Sequence, residues 1–409
     1  MSILIKNVIF NNEKKDILIE GNEIKKIDDE INASADEVIN VKEKKAILPG
    51  FINCHTHAAM SLLRGFADDY ALNEWLFNKI FPVEAKLTNE DIYWGTKLAL
   101  IEMIKSGTTF INEMYLFRGI KGATKAIEEL GIRANVGICL DDSNFEKVKE
   151  FNIPSKTDLI DYSIAPHAIY TASEKTLKWA KEFADKNDLL IHMHLSETQE
   201  EVQNAIENYG KRPVNYLNDL GLLNDKCIFA HSIWLNNEEL EILEEKGCSL
   251  VYNPTSNMKL ASGVFRFEDI KNSGINICLG TDGSASNNNL DMIEEMKIGA
   301  LLQKVNDIDP TSAKAEDLLK VATENGAKAL KKKTGKIEEG YLADLILIDL
   351  EKIYFSPCFN FTSSLVYSAN GDCVTDVICN GKIIMRNREI EGEKEVVKKV
   401  NEISKNLIK

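Results

Sequence analysis

Residues 48–57 read Leu-Pro-Gly-Phe-Ile-Asn-Cys-His-Thr-His, an apolar run that ends in two histidines, His55 and His57. A strand alternates its side chains with period two, so the two imidazoles leave the chain on the same face. Seven further runs share this texture: TTFINEM (108–114), RANVGICL (133–140), YSIAPH (162–167), LLIHMHL (189–195), CIFAHSI (227–233), SLVYNP (249–254) and INICLGTD (275–282). Helical stretches separate most of them. Residues 88–106 form one, opened by Thr88 with Asp91 three residues later. Residues 172–187 form another, where Thr171-Ala-Ser-Glu174 reads as a capping box that satisfies free amides of the first turn. Eight strands alternating with helices predict an α/β fold of the closed (βα)8 TIM type rather than an open sheet. The long first crossover, 56–107, holds an extra segment, 66–87, expected to form a lid over the barrel mouth.

The chain ends have a different texture. ILIKNVIF and DILIEGNEIKKI carry a hairpin turn at Gly21-Asn22, and residues 337–391 repeat the pattern with a turn at Asn380-Gly381. Neither segment can bury a face alone, so the two are expected to meet as one small β-sandwich. The division expected is 1–48 and 337–409 for the sandwich, the latter closing in a Lys/Glu-rich surface helix over 392–409, and 49–336 for the barrel.

Composition narrows the function classes. With 409 residues, 44% hydrophobic and 28% charged, the chain can bury a large core. A net charge of -15 argues against nucleic acid or an anionic membrane surface as partner. No apolar run approaches the roughly 20 residues needed to span a bilayer. The start, MSILIKNVIF, reads as an edge strand rather than a signal peptide. The eight cysteines are scattered with no CxxC pair, which fits reduced thiols in a cytoplasmic protein.

The six histidines carry the chemistry. His55 and His57 end the first strand, His167 the fourth, His194 the fifth and His231 the sixth, while Asp282 ends the eighth. Strand C-termini converge on the catalytic face of a barrel, so these residues meet in one pocket. Imidazoles with a carboxylate suit zinc or another divalent first-row metal. One histidine at a strand end is more often a satisfied core residue; five of six there, with an aspartate closing the set, are poorly explained that way. His192 shares the face of His194 one layer deeper and reads as a supporting or core histidine. Glu197, three residues after His194, stands where a general acid–base would reach substrate, the alternative being a carboxylate favoured at a helix N-terminus. His231 is read as orienting the attacking water and Asp282 as both ligand and proton acceptor.

Taken together, PGFINCHTH, HMHLSET, FAHS, LGTDGSASNNN and ADLILID resemble the amidohydrolase superfamily in its nucleobase deaminase and triazine hydrolase branch. The resemblance implies one divalent metal held by His55, His57, His194 and Asp282, zinc first, with iron(II) and manganese(II) equally suited by chemistry. Relatives with two metals bridge them with a strand-four lysine; YSIAPH has none, so a mononuclear site is expected. Residues 62–88 are similar to deaminases of methylthioadenosine, S-adenosylhomocysteine and 5′-deoxyadenosine. That similarity implies that Glu84 accepts hydrogen bonds from the ribose hydroxyls and that His167 contacts substrate. It also implies that Trp75 walls the base or sugar, against the alternative of lid packing.

One departure concerns the 5′ group. Some of these deaminases carry an arginine near the end of strand three, where this chain has Val136-Gly137-Ile138-Cys139. Arg133 is at the wrong end of the strand and reads as structural; Arg118 is a candidate substitute. The missing cation shifts weight towards neutral 5′ substituents. The reaction implied is hydrolytic deamination to an inosine and ammonia, with Glu197, His231 and Asp282 catalytic and Glu84, His167, Trp75 and Glu197 binding substrate. The nearest alternative is the same chemistry on guanine, cytosine or a triazine. Hydrolysis of a cyclic amide is disfavoured by the absent lysine, and a non-catalytic scaffold by the filled ligand positions. The partner implied is a small nucleoside, with homo-oligomerisation left open.

Overall fold

The run 48–55 is two strands, because the chain breaks at Gly50. Its backbone lies so close to Thr109 that a Cβ there would fall 2.1 Å from the hydroxyl oxygen, which only glycine allows. The computed structural model describes residues 1–407. Before Gly50 lie β1 (Ser2–Phe10), β2 (Glu13–Glu20), β3 (Glu23–Asp28), β4 (Glu37–Asn40) and β5 (Lys45–Pro49). After it come β6 (Phe51–Thr56), β7 (Thr108–Tyr115), β8 (Arg133–Leu140), β9 (Ile160–Pro166), β10 (Leu190–Leu195), β11 (Cys227–His231), β12 (Ser249–Tyr252) and β13 (Asn276–Leu279). The last three are β14 (Leu345–Asp349), β15 (Val374–Cys379) and β16 (Lys382–Met385).

Strands β6 to β13 pair in sequence order, every pair parallel. Such strands are covered on both faces, which is why their sequences are near-continuous apolar runs: all eight residues of β7 are buried. The seam between β13 and β6 closes through side chains as well as backbone. Asn53 accepts from the Thr281 amide at 3.1 Å and donates to its hydroxyl at 2.7 Å, while the Asp282 amide donates to the His55 carbonyl at 2.9 Å. The (βα)8 barrel expected from the sequence is therefore present.

The remaining strands form one sheet, in the order β16-β15-β14-β5-β1-β2-β3, with β4 also on β1. This sheet curls on itself rather than dividing in two: Ile24 on β3 exchanges hydrogen bonds with Gly340 and Tyr341, just ahead of β14, at 2.8 and 2.9 Å. Ile3, Ile5, Ile17, Ile19, Leu345 and Leu347 fill the interior. Arg133, 2% exposed, fastens it to the barrel through Asp344, Nε to Oδ2 at 2.8 Å and Nη2 to Oδ1 at 3.1 Å. The structural reading of Arg133 thus holds.

Two helix starts contrast. The Thr88/Asp91 capping box forms at the head of Asn89–Lys105. The Thr171/Glu174 box does not: the helix begins at Glu174 itself, Ser173 is its cap residue, and the Ser173 hydroxyl bonds Asp142 at 2.9 Å. Glu174 is the first helical residue, so it cannot reach back from the third. The expected lid, 66–87, includes a π-helical segment, Glu74–Ile80, continuing into Phe81–Glu84, and buries Trp75, Leu76, Ile80, Val83 and Glu84. The C-terminal helix spans Glu393–Leu407, so the last two positions of the expected 392–409 helix lie outside the described residues. Among the described residues no helix is long and apolar enough to cross a membrane.

Candidate active site

Each histidine at the barrel mouth has one ring nitrogen engaged behind it. His57 Nδ1 donates to the Met114 carbonyl, and His194 Nδ1 donates to the His167 carbonyl at 2.7 Å. His55 Nδ1 lies 2.9 Å from Nε2 of His192, which is fully buried beneath it. A partner at Nδ1 fixes the tautomer and aims the Nε2 lone pair at the centre. The three Nε2 atoms converge there: His57 Nε2 is 3.3 Å from His194 Nε2, and Asp282 Oδ1 is 3.2 Å from His57 Nε2 and 3.4 Å from His55 Nε2. Asp282 is itself aimed by hydroxyls, its Oδ2 accepting from Ser256 at 2.5 Å and Ser286 at 2.9 Å. Its φ of 60° is in the left-handed region, as is the 68° of His231, strain that a functional site sustains.

These donors fit a divalent cation. His55 Nε2 is buried with no hydrogen-bond partner. One ligand atom from each of His55, His57 and His194, and again from His55, His231 and Asp282, lies within 4.8 Å of the others. The protonation states agree. Burial pushes His55 down to about 3 and His194 well below its usual range. Burial raises Asp282, but the imidazoles of His55 and His57 beside it outweigh that and hold the carboxyl well below the usual range. Burial likewise lowers His57, yet Asp282 raises it to about 9. A cation would displace that proton, since ligands bind deprotonated.

Above the donors sit His231 and Glu197. His231 Nδ1 donates to Asn257 Oδ1 at 2.8 Å, which leaves Nε2 to face the cavity. That nitrogen is 3.8 Å from Glu197 Oε2. Glu197 is 6% exposed, accepts from Ser262 Oγ at 3.1 Å, and burial raises its pKa. Its position is set by Glu201, whose carboxylate accepts from the amides of Ser196 and Glu197 at 2.9 and 2.8 Å and which burial pushes up to about 7.

A cavity of about 400 Å³ opens over these groups, lined by His57, His194, Glu197, His231 and Asp282 at one end and by Trp75, Glu84 and His167 elsewhere. Glu84 Oε1, Trp75 Nε1 and the Tyr115 hydroxyl are all buried there without hydrogen-bond partners. His167 Nδ1 is 3.0 Å from the Thr171 hydroxyl, which is also placed to donate to the Ala168 carbonyl at 3.2 Å. Burial lowers His167 to about 4, so the ring is neutral and Nε2 is an acceptor.

The structure thus brings together every candidate site residue read from the sequence, with one correction among the supporting residues. Arg118 is no substitute cation: its guanidinium is spent on lid carbonyls, Nη2 on Glu84 and Nε on Leu87 at 3.2 Å. Sequence reading missed Tyr115, Glu201 and Glu113, whose carboxylate accepts from the Ala58 amide at 3.0 Å beside His57. Tyr115 had a signal, standing at a strand end like the histidines; the two glutamates act on backbone amides and had none.

The amidohydrolase family model matches residues 46–384. The chain belongs to the amidohydrolase family. This amidohydrolase is accordingly a metal-dependent hydrolase with a divalent metal site. It is 47% identical to the 5-methylthioadenosine/S-adenosylhomocysteine deaminase of Thermococcus sibiricus, covering 94% of each chain. It is 45% identical to the 5′-deoxyadenosine deaminase of Methanocaldococcus jannaschii, covering 98% of each. Among solved structures, an adenosine deaminase from Xanthomonas campestris with bound zinc superposes with a TM-score of 0.92 at 32% identity, covering 99% of this chain and 98% of that one.

Proposed function

We propose that this amidohydrolase deaminates 5′-modified adenosines hydrolytically, 5′-deoxyadenosine and 5′-methylthioadenosine foremost, with adenosine and S-adenosylhomocysteine as further substrates. The products are the matching inosine and ammonia. The observation that carries the reading is the pairing, in one cavity, of a buried Glu197 carboxyl above the metal donors with a buried Glu84 whose Oε1 has no hydrogen-bond partner. The names of the relatives agree with it.

His55, His57, His194 and Asp282 hold one divalent cation, zinc in the first instance. When bound, it supplies Lewis-acid polarisation and makes water acidic enough to attack at neutral pH. Glu197, whose pKa burial raises, donates to N1 of the purine and draws electrons from C6. His231 Nε2 accepts a hydrogen bond from the attacking water and orients it; Asp282 accepts the proton. Ammonia leaves with a proton returned by Asp282 or Glu197. Glu84 offers two oxygens to the vicinal ribose diol, His167 Nε2 accepts from a substrate donor, and Trp75 walls the cavity. The enzyme works in the cytoplasm on a free nucleoside, either alone or as a homo-oligomer.

Incubation of metal-loaded protein with adenosine, 5′-deoxyadenosine, methylthioadenosine and S-adenosylhomocysteine, following ammonia, tests this. Release from the first three is expected; release from none of the four would overturn the nucleoside reading.

A further inference from the structure

One side of the cavity is acidic and carries no cation to balance it. On β8 the positions of Asn135, Gly137 and Cys139 share one face; Asn135 bonds Asn112 and Ser163 inside the barrel, and Cys139 lines the cavity. One step further, just past the strand, the same alternation brings Asp141 to the cavity wall. Asp141 Oδ1 holds the turn, accepting from the Ser143 amide at 2.7 Å, the Ser143 hydroxyl at 2.5 Å and the Asn144 amide at 3.0 Å. Those bonds leave Oδ2 unused. Asp142, its neighbour, also lines the cavity with its Oδ1 taken by Ser173 and Thr176, but it is exposed to solvent where Asp141 is half-buried.

Among the described residues no lysine or arginine lines this cavity. Two cations whose neighbours in sequence line the cavity are occupied: Arg118 on lid carbonyls, and Lys259 on Asp68 at 2.5 Å. A ligand is independently called for by Glu84, 3% exposed with a bare Oε1 in the same cavity. Asp141 and Glu84 thus line one cavity.

We propose that this wall is a charge filter for the 5′ substituent, with Asp141 as the residue that sets it. Adenosine thioethers whose 5′ tail ends in an amine are the favoured class, neutral tails come next, and tails bearing a carboxylate are selected against. A cleft with walls of low dielectric focuses such a field, so a single unpaired carboxylate discriminates strongly. A tail amine reaches an acceptor at Asp141 Oδ2, whereas a tail carboxylate meets like charge and finds no donor cation. The inference rests on the deamination reading above.

Three thioethers that differ only in the tail test it: methylthioadenosine, which is neutral; S-adenosylhomocysteine, with amine and carboxylate; and its decarboxylated counterpart, with an aminopropyl tail. In the wild type, kcat/KM for the aminopropyl compound is expected to exceed that for S-adenosylhomocysteine by at least about tenfold. Asp141→Asn keeps the Oδ1 acceptor that holds the turn and removes the charge. In that variant the ratio of aminopropyl compound to methylthioadenosine falls at least about threefold. Each comparison is a ratio within one protein, so general damage to the fold cancels. S-adenosylhomocysteine matching or beating the aminopropyl compound, or a ratio unmoved by Asp141→Asn, overturns the charge filter alone. Turnover of none of the three overturns the deamination reading and the filter with it.

Discussion

His192 Nε2 lies 2.9 Å from Nδ1 of His55, making the deepest histidine of the barrel the backing of an innermost metal donor. Both rings are fully buried, and burial holds His192 well below its usual range, so the contact joins two neutral imidazoles. His192→Phe keeps the packing volume but frees His55 to turn. Metal affinity is expected to fall about 10- to 100-fold, read by competition with a chelator and metal analysis. Affinity equal to wild type would show that packing alone orients His55.

Glu84 presents a buried carboxylate with Oε1 bare. Hydrogen bonds to a charged group are the strong ones, so Glu84→Gln should cost about 10- to 100-fold in kcat/KM for 5′-deoxyadenosine. Any slow deamination of free adenine should be unaffected, because the base carries no diol. Equal losses on base and nucleoside would remove the ribose assignment.

Asp344 binds Arg133 with both oxygens and also accepts from the Asn380 amide at 2.7 Å and the Thr334 hydroxyl at 2.9 Å. Asp344→Ala leaves a buried guanidinium without its counter-charge, expected to cost about 3–5 kcal/mol. Urea unfolding measures the loss. The catalytic constants of the protein that remains folded at low temperature should change little, since the pair is remote from the mouth.

Glu295 is buried against Asn287, 2.5 Å away, and burial pushes its pKa up to about 8 from an ordinary 4.5. Between those values the folded chain keeps a proton that the unfolded chain has lost. The stability this carboxyl contributes is therefore full below pH 4.5 and drains away as pH rises towards 8. Urea unfolding across that range should show a shallower decline for Glu295→Gln than for wild type; parallel curves would count against it.

Much of the architecture can be read in the sequence. RANVGICL coincides with β8, and the barrel histidines stand at strand ends as period-two spacing requires. What escaped reading depends on neighbours distant in the chain. The expected division after residue 48 falls close to Gly50, but the run 48–55 reads as one strand, and it is the approach of Thr109 that parts it into β5 and β6. Thr171 looks like a helix cap but its hydroxyl is beside His167, because the helix starts two residues later than the pattern suggests. The reach of Arg118 towards the lid, and the exposure of Asp141 to the cavity, follow from loop paths that no spacing encodes.

The join at Gly50 bears on how the chain is made. β5 aligns with β14 over its whole length but touches β1 at one pair only, Ile9 with Ala46. A chain emerging from the ribosome therefore presents β5 as an unpaired edge while all eight barrel strands are still being synthesised. Open edges invite pairing with other chains. The edge of β5 that β14 covers is thus closed only once the residues from 345 onward have been made.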